Sequence, residues 1–181
     1  DLHSFPTRRS SDLRLIPTYE KVNIPSLTLD QQKVVDEFNN SSDQAYLLEG
    51  VTGSGKSEVY LHLSKQILER GKSVLMLVPE ISLTPMMMRN FISRFNDDVA
   101  ILHSELTPAE KYDEYRKIAS GKCKIVVGAR SAIFAPLSNI GLIILDEEHV
   151  ESYKQDVPPF YHAKEVAILR GKMHHYSFGS L

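Results

Sequence analysis

Two short segments of the sequence carry the residue types that bind a nucleotide and its metal ion. The first is GVTGSGKS, residues 50–57, which matches the pattern G-x-x-x-x-G-K-[ST] at every fixed position. Glycines in such a loop let successive backbone N–H groups point at phosphate oxygens, and the following helix adds its positive dipole end. The lysine reaches the β- and γ-phosphates, and the serine hydroxyl is a Mg²⁺ ligand. The predicted nucleotide-binding residues are Gly50, Thr52, Gly53, Ser54, Gly55, Lys56 and Ser57.

The second segment is DEEH, residues 146–149, which directly follows four apolar residues. Asp146 is predicted to share the Mg²⁺ with Ser57, because the cation offsets a negative charge at the end of a buried strand. Glu147 is predicted to be the general base toward a water in line with the γ-phosphate. This chemistry gives Glu148 no role. The alternative for the segment is a helix N-terminus whose acidic residues complement the helix dipole.

The base of the nucleotide is predicted to be adenine. The guanine-binding pattern N-K-x-D is missing, since no asparagine in the sequence is followed by lysine. Gln31, in LTLDQQ, offers a side-chain amide whose donor and acceptor match those of adenine. The alternative for Gln31 is a polar residue on an exposed helix face.

Strands and helices alternate along the chain, as such a site requires. We predict helices near 28–40, 56–70, 82–95, 107–120 and 162–172, and strands at 45–48, 73–78, 98–102, 123–128 and 140–145. The strands are continuous apolar runs, which are typical of strands buried on both faces of a parallel sheet. Ligands of such sheets bind at the carboxyl ends of the strands, where both segments lie. The predicted fold class is therefore α/β, an open and mostly parallel sheet with helices on both faces.

The composition is that of a globular domain. With 42% hydrophobic and 24% charged residues among 181, the chain is long enough to bury one core. No apolar run approaches the roughly 20 residues of a membrane span. The net charge of −2 gives no broad basic surface, so contacts with nucleic acid must be local. Cys123 is the only cysteine, which excludes an internal disulfide and favours a reducing cytosol. We interpret Cys123, Met86, Met87 and Met88 as core residues.

The N-terminal segments differ from the rest of the chain. Residues 1–13, DLHSFPTRRSSDL, match the in-frame translation of a short-read sequencing adapter, and we expect them to be an assembly artefact and not a native disordered tail. Residues 14–26 carry two prolines and are predicted to form an extended linker. Residues 27–181 are predicted to form the domain, which we expect to be truncated at its C-terminus.

Several longer segments extend the pattern beyond the phosphate loop. They are LTLDQQ, LLEGVTGSGKSEVYL, VLMLVPEISLTP, VVGARSAIFAPLSNIGLIILDEEH and SYKQDVPPFYHAKEVA. Together with the DExH form of residues 146–149, they closely resemble the primosomal replication-restart helicases of superfamily 2 over about residues 27–173. RecG-like and RecQ-like helicases share the DExH pattern and match these segments less well. The terminal FGSL resembles the beginning of a further helicase motif.

The resemblance implies the first RecA-like P-loop NTPase domain of an ATP-dependent DNA motor that moves 3′→5′ and reloads the replication machinery at stalled forks. It implies ATP and Mg²⁺ as cofactors, and zinc in the parent family, with no zinc site in this fragment. The implied partners are single-stranded or forked DNA and replication-restart proteins, in the bacterial cytoplasm at the nucleoid and away from membranes. Hydrolysis in this class uses arginines of a second RecA-like domain, so we expect the fragment alone to be poorly active.

The resemblance also implies three DNA-contacting or coupling segments. The first contains Pro79, Glu80, Ile81 and Thr84, the second Arg130 and Ser131, and the third is an aromatic-rich loop with Tyr153, Lys154, Phe160, Tyr161 and His162. His149 is predicted to pass the nucleotide state to this loop. In the loop, Val150 and Phe160 replace polar and basic residues expected from the family.

Physical chemistry supports the third segment independently, because aromatic rings stack on bases of any sequence and nearby cations meet phosphates. The alternative is an ordinary surface loop whose aromatic residues pack back on the core. Two alternatives remain for the whole chain: a small-molecule phosphotransferase that uses the same phosphate loop, and a DNA- or protein-binding module with a vestigial nucleotide site.

Overall fold

The computed structural model describes residues 25–41, 45–51, 53–174 and 177–180. These ranges contain the helices α1 (Leu29–Asn40), α2 (Lys56–Glu69), α3 (Pro85–Phe95), α4 (Pro108–Ala119) and α5 (Ala163–His174). They also contain the strands β1 (Ala45–Leu47), β2 (Ser73–Leu77), β3 (Val99–Leu102), β4 (Ile125–Gly128), β5 (Ile140–Leu145), β6 (Lys154–Gln155), β7 (Tyr161–His162) and β8 (Ser177–Ser180). The predicted artefact at 1–13 and most of the predicted linker lie outside the described residues.

Six of these strands form one parallel sheet in the order β1-β8-β5-β2-β4-β3. In its centre β2 pairs with both β4 and β5, so that Leu77 lies beside Gly128 on one side and Leu145 on the other. The short strands β6 and β7 form a separate antiparallel pair. The α/β fold with a parallel sheet is confirmed. Strands β6 and β7 were not predicted, because two residues each are too few to show a periodic pattern.

Two hydrophobic cores lie on opposite faces of the sheet. Val74 and Met76 of β2 point into one, which contains residues of α1, α2 and α3, and Leu75 and Leu77 point into the other, which contains residues of α4 and α5. Every residue of β2 and β5 is buried. Because successive side chains of a strand point to opposite faces, a continuous apolar run is what burial on both faces demands.

Threonine caps begin three of the helices, and one of them corrects a predicted boundary. Thr28 and Thr107 form capping boxes at α1 and α4, and the Thr84 side chain accepts a hydrogen bond from the Met87 N–H at α3. Because Thr84 has extended backbone and Pro85 occupies the first turn, α3 begins at Pro85 and not near residue 82. A short 3₁₀ turn, Glu80–Ser82, precedes it.

The methionines of α3 differ in their exposure to solvent. Met86 is 73% exposed, so the prediction that it packs in the core is wrong, whereas Met87 packs against the core that contains α2. Cys123 is buried, as predicted. The longest helix in the described ranges, α2, has 14 residues, and none of the described helices is long and apolar enough to cross a membrane.

Ile144→Ala is expected to destabilise the fold strongly, because Ile144 is 0% exposed at the centre of β5. Removing a buried isoleucine side chain leaves a cavity and costs about 2–5 kcal/mol. Urea unfolding measures the change. Ile81→Ala is the matched control, since Ile81 is 90% exposed and exposed substitutions stay within about 0.5 kcal/mol. Equal losses in the two variants would contradict the assignment of β5 to the core.

Candidate functional site

Four of the predicted site segments directly follow strands of the six-stranded sheet. The phosphate loop follows β1, residues 79–84 follow β2, Arg130 and Ser131 follow β4, and residues 146–149 follow β5. Because all six strands are parallel, these segments lie at one edge, which we call the carboxyl edge. The topology thus brings together residues that are up to about a hundred positions apart in sequence.

Gly55 is the residue of the phosphate loop that its surroundings constrain most. Its φ of +83° lies in the left-handed region, and a Cβ at this position would lie 2.3 Å from Gln31 Nε2. Gly53 has a φ of +81°, but a Cβ there would meet no atom within 4 Å. Thr52 lies outside the described residues. The positive φ therefore favours glycine at position 55, and a Cβ there would also displace the Gln31 amide.

The start of α2 suits a bound anion. The helix begins at Lys56, directly after the loop, and no side chain caps its N-terminus. The N–H groups of a first helical turn lack intrahelical partners, and they point toward the end where a phosphate binds. The Lys56 ammonium donates a hydrogen bond to Gly50 O over 2.5 Å, so the side chain lies across the loop.

Gln31 connects α1 to the phosphate loop. Its Nε2 donates to Gly55 O over 3.1 Å, and its Oε1 accepts from the Thr28 N–H over 2.9 Å. Both ends of the side-chain amide therefore contact the protein, and the alternative of a merely exposed polar residue does not describe this half-buried side chain. Recognition of adenine by Gln31 stays a prediction.

Ser57 and Asp146 line the same cavity at the carboxyl edge, together with Thr84, Met86 and Asn90. Proteins usually hold Mg²⁺ through one or two oxygen ligands, while substrate phosphates and water complete the octahedron. One hydroxyl and one carboxylate facing one cavity fit that requirement. In the described part of the chain, no group of three or more His, Cys, Asp and Glu side chains could hold a metal.

Two buried tyrosines hold Asp146. The Tyr60 hydroxyl donates to Asp146 Oδ1 over 2.9 Å, and the Tyr153 hydroxyl shares its one proton between Asp146 O, at 2.6 Å, and Leu77 O, at 3.0 Å. Burial, and then the nearby carboxylate of Asp146, raise the pKa of Tyr60 and of Tyr153 far above the ordinary value. Both hydroxyls therefore remain donors at neutral pH. Tyr60 was not predicted as a site residue, although its position three residues after Ser57 places it on the same helix face.

The three residues after Asp146 form a tight turn and not the start of a helix. Glu147 has a φ of +50°, and its carbonyl accepts the Val150 N–H over 3.0 Å. A residue other than glycine in this region costs about 1–2 kcal/mol, and such strain is found at functional sites. Glu148 forms an ion pair with Lys164 of α5, which explains the acidic residue that the predicted chemistry left without a role. His149 is exposed.

The segment after β2 divides between exposed and buried residues. Glu80, Ile81 and Thr84 are exposed, while Pro79 is buried, which contradicts the predicted contact between Pro79 and DNA. A Glu80 carboxylate oxygen accepts the Ser104 N–H over 3.3 Å. DNA contacts by the exposed residues stay predictions.

Arg130 packs against the aromatic-rich loop and not into open solvent. Its Nη1 donates to Ser152 O over 3.1 Å and to Lys154 O, and its guanidinium lies 5.9 Å from the ring centroid of Tyr161. Its Nε is buried and has no partner among the described residues. The guanidinium therefore bonds the backbone of the loop, whereas the neighbouring Ser131 is exposed.

The aromatic residues of the loop have two different environments. Tyr153 is 0% exposed and its hydroxyl lies against buried carbonyls, so its ring offers no surface to DNA, and its role in coupling stays a prediction. Phe160 is 71% exposed, and the alternative in which the ring packs back on the core is wrong for it. Lys154 is exposed and forms an ion pair with Asp156. The His162 Nδ1 accepts the Lys164 N–H over 3.2 Å at the start of α5.

Phe134 is a second residue at this site that was not predicted. Its ring is 52% exposed and meets the Tyr161 ring edge-to-face at a centroid distance of 4.9 Å. The pair joins the segment after β4 to the aromatic-rich loop. The available signal was an aromatic residue within ARSAIFAP, the segment that also carries Arg130 and Ser131.

A phosphate-loop sequence and the acidic segment 146–148 at the carboxyl edge of a parallel sheet define an α/β P-loop domain of the RecA-like type. Residues 28–166 of this chain match the DEAD/DEAH box helicase family. The chain belongs to that family.

Individual relatives show which helicases the chain is similar to. Over 160 residues the chain is 50% identical to the Replication restart protein PriA of Bacillus subtilis (strain 168), covering 86% of this chain and 20% of that protein. The Synechocystis protein of the same name is 55% identical over 128 residues, covering 70% of this chain and 15% of that protein. The chain thus spans about a fifth or less of these relatives.

Solved helicase structures share the fold. RecG bound to a three-way DNA junction superposes with a TM-score of 0.64 at 25% identity, covering 86% of this chain and 21% of that one. The UvsW helicase from Bacteriophage T4 superposes with a TM-score of 0.61 at 18% identity, covering 94% of this chain and 57% of that one.

Gly55→Ala is expected to weaken nucleotide binding, because the added Cβ displaces the Gln31 amide from its hydrogen bond with Gly55 O. Gly121→Ala is the matched control: it also has a positive φ, of +74°, but no atom lies within 4 Å of its added Cβ. We expect the control to lose about 1 kcal/mol of stability and to keep its affinity for nucleotide. Isothermal titration with ATP compares the two, and equal affinities would refute the crowding argument.

Proposed function

We propose that the chain is the ATP-binding motor domain of a DNA helicase that acts in replication restart at stalled forks, moving 3′→5′. The observation that carries the proposal is the cavity lined by Ser57, Asp146 and Thr84. This cavity places the predicted metal ligands, Ser57 and Asp146, next to Thr84, which caps α3 and ends the segment 79–84 that is expected to contact DNA. The names of the relatives, Replication restart protein PriA, support the process.

The geometry supports a division of labour in ATP hydrolysis. The uncapped N-terminus of α2 and Lys56 would bind the phosphates, and Ser57 and Asp146 would hold Mg²⁺. When bound, Mg²⁺ neutralises charge between the β- and γ-phosphates. Glu147, next to the metal carboxylate, would orient a water molecule and accept its proton. The positive φ of Glu147 supports this role, since strained backbone of this kind is found at functional sites.

The contacts of Tyr153 support coupling between the aromatic-rich loop and the metal site. Tyr153 ends a 3₁₀ turn that begins at Glu151, and its hydroxyl bonds the backbone of Asp146. Arg130 holds the same turn through Ser152 O. DNA that displaces the loop would therefore shift Asp146 through direct hydrogen bonds. The exposed His149 lies between these elements in sequence and is proposed to help transmit the nucleotide state.

The exposed rings of Phe160 and Phe134 favour single-stranded DNA as the partner. Base stacking on aromatic side chains tolerates any sequence, as a motor on DNA requires. A small-molecule phosphotransferase has no use for such a surface, which argues against that alternative. Replication-restart proteins are the proposed protein partners, and the bacterial cytoplasm is the proposed location. Hydrolysis is proposed to need arginines of a second RecA-like domain, so the chain alone should turn over little ATP.

Lys56→Ala and Glu147→Gln are expected to separate binding from catalysis in a full-length helicase that carries this domain. Lys56→Ala removes a phosphate ligand and should weaken ATP binding. Glu147→Gln keeps the shape of the side chain but cannot accept a proton, so ATP binding should persist while turnover falls by about 10²–10⁴-fold. The measurements are ATP affinity and steady-state ATPase, each with and without single-stranded DNA.

The wild type in the same assay tests the wider proposal. DNA-stimulated ATPase is expected of a helicase, whereas a phosphotransferase would ignore DNA and need a co-substrate. A DNA- or protein-binding module would hydrolyse no ATP, either with or without DNA. Robust DNA-stimulated ATPase from the 181-residue chain alone would contradict the proposed need for a second domain.

Phe160→Ala is expected to raise by about tenfold the concentration of single-stranded DNA that half-saturates the ATPase, because each lost base stack costs about 1–3 kcal/mol. The rate without DNA should not change. Tyr112→Ala on α4 is the matched control, since Tyr112 is 64% exposed and Phe160 is 71% exposed. A normal DNA response in Phe160→Ala would remove the loop from the proposed DNA surface.

A further inference from the structure

Tyr60 contacts the proposed metal carboxylate directly. Its side chain is 1% exposed, and its hydroxyl donates to Asp146 Oδ1 over 2.9 Å. The phosphate-loop pattern explains Lys56 and Ser57 through their contacts with phosphate and metal, but it assigns nothing to the residue three positions after Ser57.

The backbone of Asp146 is already fixed by other contacts. Its N–H donates to Leu77 O over 2.9 Å, and its carbonyl accepts the Tyr153 hydroxyl over 2.6 Å. These backbone bonds do not fix the rotamer of the Asp146 side chain, which can adopt several staggered positions. Within the described residues, the bond from Tyr60 is the hydrogen bond that the Asp146 carboxylate receives.

Ser57 and Tyr60 lie on one face of α2, because residues three positions apart are neighbours on a helix. One rigid helix therefore carries both a proposed metal ligand and the donor that contacts the other ligand. The first turn of α2 is itself held to α3, since Arg94 forms two hydrogen bonds, of 2.8 and 2.9 Å, with the Glu58 carboxylate.

We propose that Tyr60 is a positioning residue, which occupies Oδ1 of Asp146 and thereby turns Oδ2 toward the Mg²⁺ bound beside Ser57. The inference rests on the proposed function, because it assumes that Asp146 is a metal ligand. The class of ligand concerned is the magnesium complex of a nucleoside diphosphate or triphosphate.

The ring and the hydroxyl of Tyr60 have separable effects. The ring packs in the core between α2 and the sheet, so its loss would destabilise the whole domain. The hydroxyl alone contacts the carboxylate. Tyr60→Phe removes only the hydroxyl, and Tyr60→Leu removes the ring as well, so a role in metal positioning predicts the same Mg²⁺ defect in both variants despite different melting temperatures.

The experiment measures binding of a fluorescent ADP analogue by anisotropy, in a full-length helicase that carries this domain, during Mg²⁺ titration and in EDTA. In Tyr60→Phe we expect the Mg²⁺ concentration at half-maximal binding to rise about tenfold, since hydrogen bonds to charged groups are the stronger ones. Affinity in EDTA should be that of the wild type. Tyr115→Phe is the matched control, because Tyr115 is a half-buried tyrosine of α4 on the opposite face of the sheet.

The outcomes separate this inference from the function on which it rests. An Mg²⁺ titration of Tyr60→Phe equal to that of the wild type overturns the positioning role alone. Two other outcomes would assign Tyr60 a purely structural role in the core and would also overturn the positioning role. The first is an equal loss of nucleotide affinity in Mg²⁺ and in EDTA. The second is a Mg²⁺ defect that is larger in Tyr60→Leu than in Tyr60→Phe, in step with a lower melting temperature. A wild-type protein whose nucleotide binding ignores Mg²⁺ overturns the inference together with the proposed metal site.

Discussion

Burial of β2 and β5 on both faces is the constraint on which the rest of the structure depends. All the residues of these strands lie inside, so each strand can present a polar group only where it ends. Parallel pairing then aligns those ends, with Leu77 beside Leu145. The Asp146 N–H closes the ladder by donating to Leu77 O over 2.9 Å. The position of the proposed metal carboxylate is therefore a direct consequence of strand pairing in the core.

The same constraint explains why buried polar side chains at this edge are tyrosines. The carbonyls at the strand ends need donors, because an unsatisfied buried carbonyl costs free energy comparable to a lost hydrogen bond. Leu77 O already accepts the Asp146 N–H, so the one hydroxyl proton of Tyr153 is needed by Asp146 O, 2.6 Å away, while the Tyr153 ring fills apolar space. A shorter donor such as serine would leave a cavity, and a charged donor would need a partner of its own.

The order of elements from α1 to β5 was predictable from the sequence, because apolar runs and turn residues carry local signals, whereas β6, β7 and β8 were not predicted. The β5 range of 140–145 was predicted without error, and the proposed phosphate and metal residues follow the strands as expected. The start of α3 was wrong by several residues because the Thr84 cap and the Pro85 first turn outweigh the apolar pattern. Met86 was misplaced because the helical repeat puts Met87, Phe91 and Phe95 on the buried face of α3 and leaves Met86 outside it.

Contacts between distant residues could not be predicted, and they decide the roles at the site. Nothing near Gln31 in sequence indicates that its amide meets Gly55, and nothing near Tyr60 indicates Asp146. The aromatic-rich loop is the clearest case, since its composition led to the same prediction, contact with DNA or coupling, for all its aromatic residues. In the structure these residues differ in exposure, because Tyr153 is buried against Asp146 and Phe160 is exposed.

This division gives the loop the two ends that a coupling element requires. A ring that stacks on DNA must be exposed, whereas a hydroxyl that senses or moves a metal ligand must be buried beside it. Arg130 bridges these ends, because it bonds the backbone on either side of Tyr153 and lies against the Tyr161 ring. Its buried Nε, which has no partner among the described residues, adds a cost that a rearrangement of the loop could relieve. We therefore group Arg130 with the proposed coupling residues and not with the proposed DNA-binding ones, because its guanidinium already bonds backbone carbonyls of the loop.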